Sequence, residues 1–186
     1  MKKVLFLTLM ALFTINPAFS QDDESELLTF SKVIQADGAS KDAIYASIME
    51  WISTNYRSVG NDSQLSDKDA GLIVKQVAFS YEKGGMTYLC YKGLVYYKMK
   101  FQIREGRFKV ELTSFVHEVN KGNSQGCELG LITNSEEYGK GGLQRKHNEA
   151  VWKDIKEKAE IKANELFEKM SELKFDSFSP DNNDDW

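Results

Sequence analysis

Residues 95–113 read VYYKMKFQIREGRFKVELT, and the fold follows from this stretch. Val95, Tyr97, Met99, Phe101 and Ile103 are apolar, whereas Tyr96, Lys98, Lys100, Gln102 and Arg104 between them carry polar ends. Glu105-Gly106 is a two-residue turn signal. Beyond it Phe108, Val110 and Leu112 alternate with Lys109, Glu111 and Thr113. A period of two sends successive side chains to opposite faces of a strand. The stretch therefore predicts an antiparallel hairpin with one buried face and one wet face.

Working outward, Leu72 to Tyr81 is apolar and β-favouring, and Gly84-Gly85 turns it into a middle strand drawn from Thr87 to Arg104. The hairpin partner runs from Arg107 to Glu118. Upstream, Leu28 to Gln35 alternates as a first strand that ends at Asp37-Gly38. Ser40 then stands as a helix N-cap, with Asp42 placed to meet the helix dipole. Ile44, Ile48, Trp51 and Ile52 fall at helical spacing over about Lys41 to Arg57, and Ser58 to Gly71 reads as a connecting loop. Downstream, the glycine-rich stretch Asn120 to Lys146 reads as a long loop with a short helix near Ser135 to Tyr138. Trp152, Ile155, Ala159, Ala163, Leu166, Met170 and Leu173 then stripe a charged helix over Asn148 to Leu173. Asp154 with Lys158 and Glu165 with Lys169 are its four-apart pairs. The order is β-α-β-β-β-α. It predicts an α+β fold with both helices on the apolar face of one antiparallel sheet and the polar face open.

The first residues speak to location. Lys2 and Lys3 precede an apolar run from Val4 to Ile15, and Ala18-Phe19-Ser20 offers small residues ahead of Gln21. This is the pattern of a cleaved secretory signal peptide, residues 1–20. The run is shorter than the about 20 apolar residues that span a bilayer, so no transmembrane segment is expected after cleavage. Residues 21–175 then form a single domain led by the acidic Gln21 to Glu26, and 176–186 an acidic, disordered tail. Periplasmic or secreted localisation follows. The formal charge is −4, and losing Lys2 and Lys3 leaves −6, a poor match to phosphate-rich nucleic acid.

The element order, the strand Phe30-Ser-Lys-Val-Ile34, Ser40-Lys-Asp before the helix and Trp51 late in it carry a resemblance. So do Asp67 to Ile73 and the Arg104-Glu-Gly-Arg-Phe108 hairpin. Together, over roughly Phe30 to Glu118, they resemble an exported family of unknown function from Bacteroidetes-type bacteria with a TATA-box-binding-protein-like fold. The resemblance implies the fold and no activity, cofactor or catalytic residue; a fold does not carry DNA binding with it.

Catalytic patterns are sparse. His117 and His147 are the available imidazoles, and neither sits in a partnering motif. There is no Gly-x-Ser-x-Gly elbow, and two cysteines with two histidines at scattered spacing make no zinc pattern. Asp67-Lys-Asp69-Ala-Gly71 lacks the remaining ligands of a calcium loop and reads as a turn. Gly139-Lys-Gly-Gly142 lacks phosphate-loop spacing. No catalytic residue, metal or cofactor is expected.

One constellation stands out: Tyr96, Lys98, Lys100 and Arg104, with Lys109 on the next strand, interleave an aromatic and cations on the open face. That mixture suits anionic or sugar-like ligands or a protein partner; a merely solvated face is the plainer alternative. Cys90 and Cys127 either pair, which export permits, or remain free thiols. Continued alternation would point Cys90 to the open side, and a bridge would draw the long loop across it. The leading expectation is an exported, non-enzymatic binding protein for an unknown envelope or extracellular protein or glycan. A hydrolase needing His117 with Glu136 or Glu137 is the alternative, and a subunit burying its open face in a dimer a third reading.

Overall fold

The chain is described from a computed structural model over residues 27–56, 64–119, 126–139 and 144–175. The expected signal peptide 1–20, the lead-in 21–26 and the tail 176–186 lie outside the described residues.

The central hairpin forms as its sequence requires. Strands β4 (Gly93–Arg104) and β5 (Arg107–Val119) join through Glu105-Gly106, with Gly106 at φ 68°, a conformation only glycine adopts freely. (Strands are numbered β1 to β6 in chain order.) Phe101 pairs with Val110 and Ile103 with Phe108 on one face, while Lys100 pairs with Glu111 and Gln102 with Lys109 on the other. Beyond Tyr96 the register slips, opposite Ser114 at φ 56°. This bulge changes the parity of β5. It turns Phe115 and His117 onto the buried face, where strict alternation from Leu112 would have put Ser114 and Val116.

The sheet order is β1 (Phe30–Gln35), β5, β4, β3 (Leu72–Tyr81), β2 (Gln64–Asp67), all antiparallel. A two-residue β6 (Gly130–Leu131) adds to β5 beyond the end of β1. Strands β2 and β6 fall in stretches whose composition reads as loop. Every residue of β2 is exposed, and β6 is too short to show a period; pairing with a formed neighbour, not local pattern, makes them strands. The middle strand begins at Gly93, not Thr87, because Met86–Tyr91 forms a 3-10 helix that buries Tyr91. Gly93 is crowded: a Cβ there would sit 2.0 Å from the Glu118 carbonyl oxygen.

Helix α1 (Lys41–Asn55) starts at Ser40, whose hydroxyl accepts from the Ala43 amide. The hairpin turn joins in, since Glu105 accepts from the Lys41 amide and Gly106 exchanges backbone bonds with Ala36 and Ala39. Ile44, Ile48 and Ile52 are buried, whereas Trp51 is half-buried with its ring against Tyr56. Helix α2 (Arg145–Ser171) buries Trp152, Ile155, Ala159, Ala163, Leu166 and Met170, together with Val151 and Phe167. Asp154 meets Lys158 at 2.7 Å, but Glu165 pairs with Lys162 at 2.8 Å rather than with Lys169. No described helix is long and apolar enough to cross a membrane. The fold is α+β, an antiparallel sheet with its helices gathered on one face.

Candidate binding face

Pairing registers place Tyr96, Lys98, Lys100, Gln102 and Arg104 of β4 on one side, away from the buried Val95, Tyr97, Met99, Phe101 and Ile103. Lys109, Glu111 and Thr113 of β5, Val33 of β1, Val74 of β3 and Leu65 of β2 share that side through their cross-strand partners. Val33 and Leu65 are 54% and 59% exposed, so apolar spots lie between the cations.

The five expected residues share the face without converging on one point. Tyr96 and Arg104 stand about 26 Å apart along β4. Lys98 and Lys100 line a groove of about 580 Å³ with Leu27, Val74, Glu111 and Thr113. Arg104 and Lys109 line a second groove, about 790 Å³, with Val33, Arg107 and Lys41 at the hairpin end. Tyr96 is half-buried and belongs to neither. Lys109 is already committed, with its ammonium 2.6 Å from Glu111. Among the described residues Lys98, Lys100, Arg104 and Arg107 form no ion pair. Arg107 belongs with the cations, and both it and the Lys109–Glu111 pair, two residues apart on one face of β5, were within reach of the alternation argument.

Cys90 and Cys127 form a disulfide, with Cα atoms 5.1 Å apart. The 3-10 helix takes Cys90 out of the alternation that would have aimed it at the open face. Residues 126–139 pack as a strap along the β5 edge beyond β1, and Asn134 reaches the wall of the Lys98–Lys100 groove. Leu129, Ile132 and Tyr138 are buried, Tyr138 lies against Trp152, and Trp152 donates to the Ser135 carbonyl. Ser135 to Tyr138 is bent rather than helical. His117, opposite Val95 and fully buried, pins the strap: Nδ1 accepts from the Leu129 amide at 3.2 Å, and Nε2 donates to the Tyr91 carbonyl at 2.9 Å. Burial lowers its pKa below 6.5, against the opposing pull of the Tyr91 carbonyl and Glu128.

With this geometry in view, residues 30–118 match the model of a domain of unknown function, DUF4468, with a TBP-like fold. Residues 30–118 belong to the DUF4468 family. A TBP-like protein from Parabacteroides distasonis shares 16% identity at a TM-score of 0.52, over 80% of this chain and 95% of that one. A DUF4468 family protein from Bacteroides ovatus shares 17% at 0.50, over 80% and 88%. At such identities the likeness is one of fold. No curated protein matches the sequence.

The DUF4468 match takes in β1 to β4 and β5 up to Glu118, and it ends before the strap and α2. Other groups do not assemble a site. His117 spends both ring nitrogens inside the protein, whereas Glu136 and Glu137 are exposed and Glu137 faces Arg145. His147 lies in the first turn of α2, its ring edge-on to Tyr88. Asp67 caps its own turn by accepting from the Ala70 amide. No metal-binding cluster exists among the described residues. Most of the 139–142 glycine segment lies outside them. Asp154 gathers the Tyr81 hydroxyl, Lys158 and Lys83. Burial pushes its pKa up, but the hydrogen bonds from Lys158 and Tyr81 and the two lysine charges outweigh it and leave the carboxyl below its ordinary value. That cluster fastens α2 to β3.

Proposed function

We propose that this DUF4468 chain is an exported, non-enzymatic binding protein that holds an extended, carboxylate-bearing ligand on its open sheet face. The observation that carries this is Lys98 and Lys100, side by side along a groove on the uncovered face with no ion partner among the described residues. Cations repeated at alternate strand positions stand about 7 Å apart, a spacing that an extended acidic chain can follow. The apolar spots at Val33, Val74 and Leu65 supply contact area between the charges. Export rests on the signal pattern of residues 1–20. The periplasm or the extracellular space is then where the ligand is met.

The test is binding of hexaglutamate and of polygalacturonate to the protein processed after Ser20, at low and high salt. The expected result is salt-sensitive binding of at least one probe that the Lys98→Ala/Lys100→Ala/Arg104→Ala variant loses. Lys98 and Arg104 are exposed and Lys100 is half-buried, and none of the three has an ion pair among the described residues, so the variant keeps its fold. Equal binding by the triple variant discards the site, and no binding of either probe discards the ligand class.

A further inference from the structure

The tip of the β4–β5 hairpin carries a charge arrangement that strand pairing alone does not favour. Arg104 and Arg107 are direct partners across the two-residue turn, on the open side of the sheet. Such partners have Cα atoms about 5 Å apart, and like charges set directly opposite one another are destabilising. Neither guanidinium has an ion pair among the described residues. Both line the cavity of about 790 Å³ at the hairpin end, together with Lys41 and Lys109. The one carboxylate among the lining residues, Glu105, accepts from the Lys41 amide, and the Lys109 ammonium is taken by Glu111. The Lys41 ammonium donates to the Asp69 carbonyl, a neutral oxygen that leaves its charge uncancelled. Backbone contacts build the wall that holds it. The Ile103 amide donates to the Gly71 carbonyl at 2.7 Å, and Gly71, at φ 66°, has no room for a Cβ, which would lie 2.5 Å from the Ile103 carbonyl oxygen. That close approach fixes the turn bearing Asp69, and with it Lys41, beside the two arginines.

We infer that Arg104, Arg107 and Lys41 hold a tetrahedral oxyanion, the phosphate or sulfate group of a monoester, in the hairpin-end cavity. A guanidinium presents a planar fork of N–H donors that pairs with two oxygens of such a group. Two forks from neighbouring strands and an ammonium from α1 match oxygens disposed around a centre better than the two coplanar oxygens of a carboxylate. An anion seated between the arginines also removes the repulsion that their pairing creates. The organic part of the ester has an apolar neighbour in Val33, which lines the same cavity and is 54% exposed. This site goes beyond the binding reading above, because it uses neither Lys98 nor Lys100.

The test titrates phenyl phosphate, phenyl sulfate and benzoate into the protein processed after Ser20, at pH 7 and matched ionic strength. Arginine Nε–H signals are followed by 15N NMR, a readout on the unaltered chain that no failure of a variant to fold can obscure. At least one ester should shift the Arg104 and Arg107 signals saturably and bind about tenfold more tightly than benzoate. The tighter ester names the source of the oxyanion. No saturable shift, or benzoate binding as well as both esters, overturns the inference. Arg104→Lys/Arg107→Lys keeps both charges without the forks and should weaken ester binding about tenfold. Unchanged affinity in that variant also overturns it. Lys98→Ala/Lys100→Ala should leave ester affinity within about twofold, as for a site with no shared partner; a larger loss moves the anion to the other groove and overturns the assignment. Ester binding without hexaglutamate or polygalacturonate binding keeps this site and removes the reading above. The reverse pattern keeps that reading and removes this site.

Discussion

His117 and the Lys98–Lys100 groove lie on opposite faces of the same two strands, and they use polar groups in opposite ways. On the helix-covered face, each imidazole nitrogen of His117 has a backbone partner, and the disulfide closes the strap beside it. A buried polar group left unpaired costs about 1–3 kcal/mol, so the core spends such groups on holding its parts together. On the open face, water satisfies Lys98 and Lys100 in the absence of a partner, and they remain free to bind one. Chemistry-bearing residue types are therefore no guide to function here until the face they occupy is known. The imidazole that looks most like catalytic equipment is structural, and lysines that look like solubilising decoration form the candidate site.

Five variants would break or sharpen this contrast. Phe115 stacks on Tyr97 with ring centroids 5.2 Å apart and is fully buried, so Phe115→Ala should cost about 3–5 kcal/mol in urea unfolding. A loss near zero would mean that the covered face is not the core. Next, Cys90→Ala/Cys127→Ala opens a loop of sequence separation 37 and should lower stability by about 2–4 kcal/mol, with no change in binding of anionic probes. Lost binding in that variant would show that the strap shapes the open face.

The third change concerns protonation. Below pH 6.5 the unfolded chain protonates His117, while the folded chain resists until its lowered pKa is reached. The unfolded state thus binds more protons in that window, so stability is complete above pH 6.5 and is lost as pH falls through it. The slope is at most about 1.4 kcal/mol per pH unit from this group. Unfolding midpoints of the parent and His117→Gln should therefore be separated by a constant gap above pH 6.5 that changes as pH falls below it; a gap that stays the same on both sides of pH 6.5 would contradict the buried neutral imidazole. Smallest of all, Lys98→Ala and Lys100→Ala should each shift stability by no more than about 0.5 kcal/mol. A larger loss from either lysine would mean that its charge supports the fold, and the binding assignment would weaken accordingly.

Legibility in the sequence tracked how local each cause was. The alternation in 95–113 identified the open face and all five candidate side chains because side-chain direction in a paired strand is a property of adjacent residues. The Ser40 cap and the α2 stripe were readable for the same reason. Division of four of those five between two grooves, with Tyr96 in neither, was not readable, since it depends on which side chains from other elements meet them in space. Nor was the bulge at Ser114, a left-handed serine without the glycine that would announce one.

Taken alone, the residues determined the order of the two helices and the four longer strands, the hairpin turn at Glu105-Gly106 and the division into a wet and a dry face. Each is a matter of period, cap or turn within a few neighbours. Tertiary contact decided the rest: the edge strand β2, the two residues of β6, the 3-10 helix before Gly93, the path of the disulfide-closed strap and the burial of His117. Those outcomes hinge on groups far apart in the chain competing for the same space, and a local pattern carries no record of that competition.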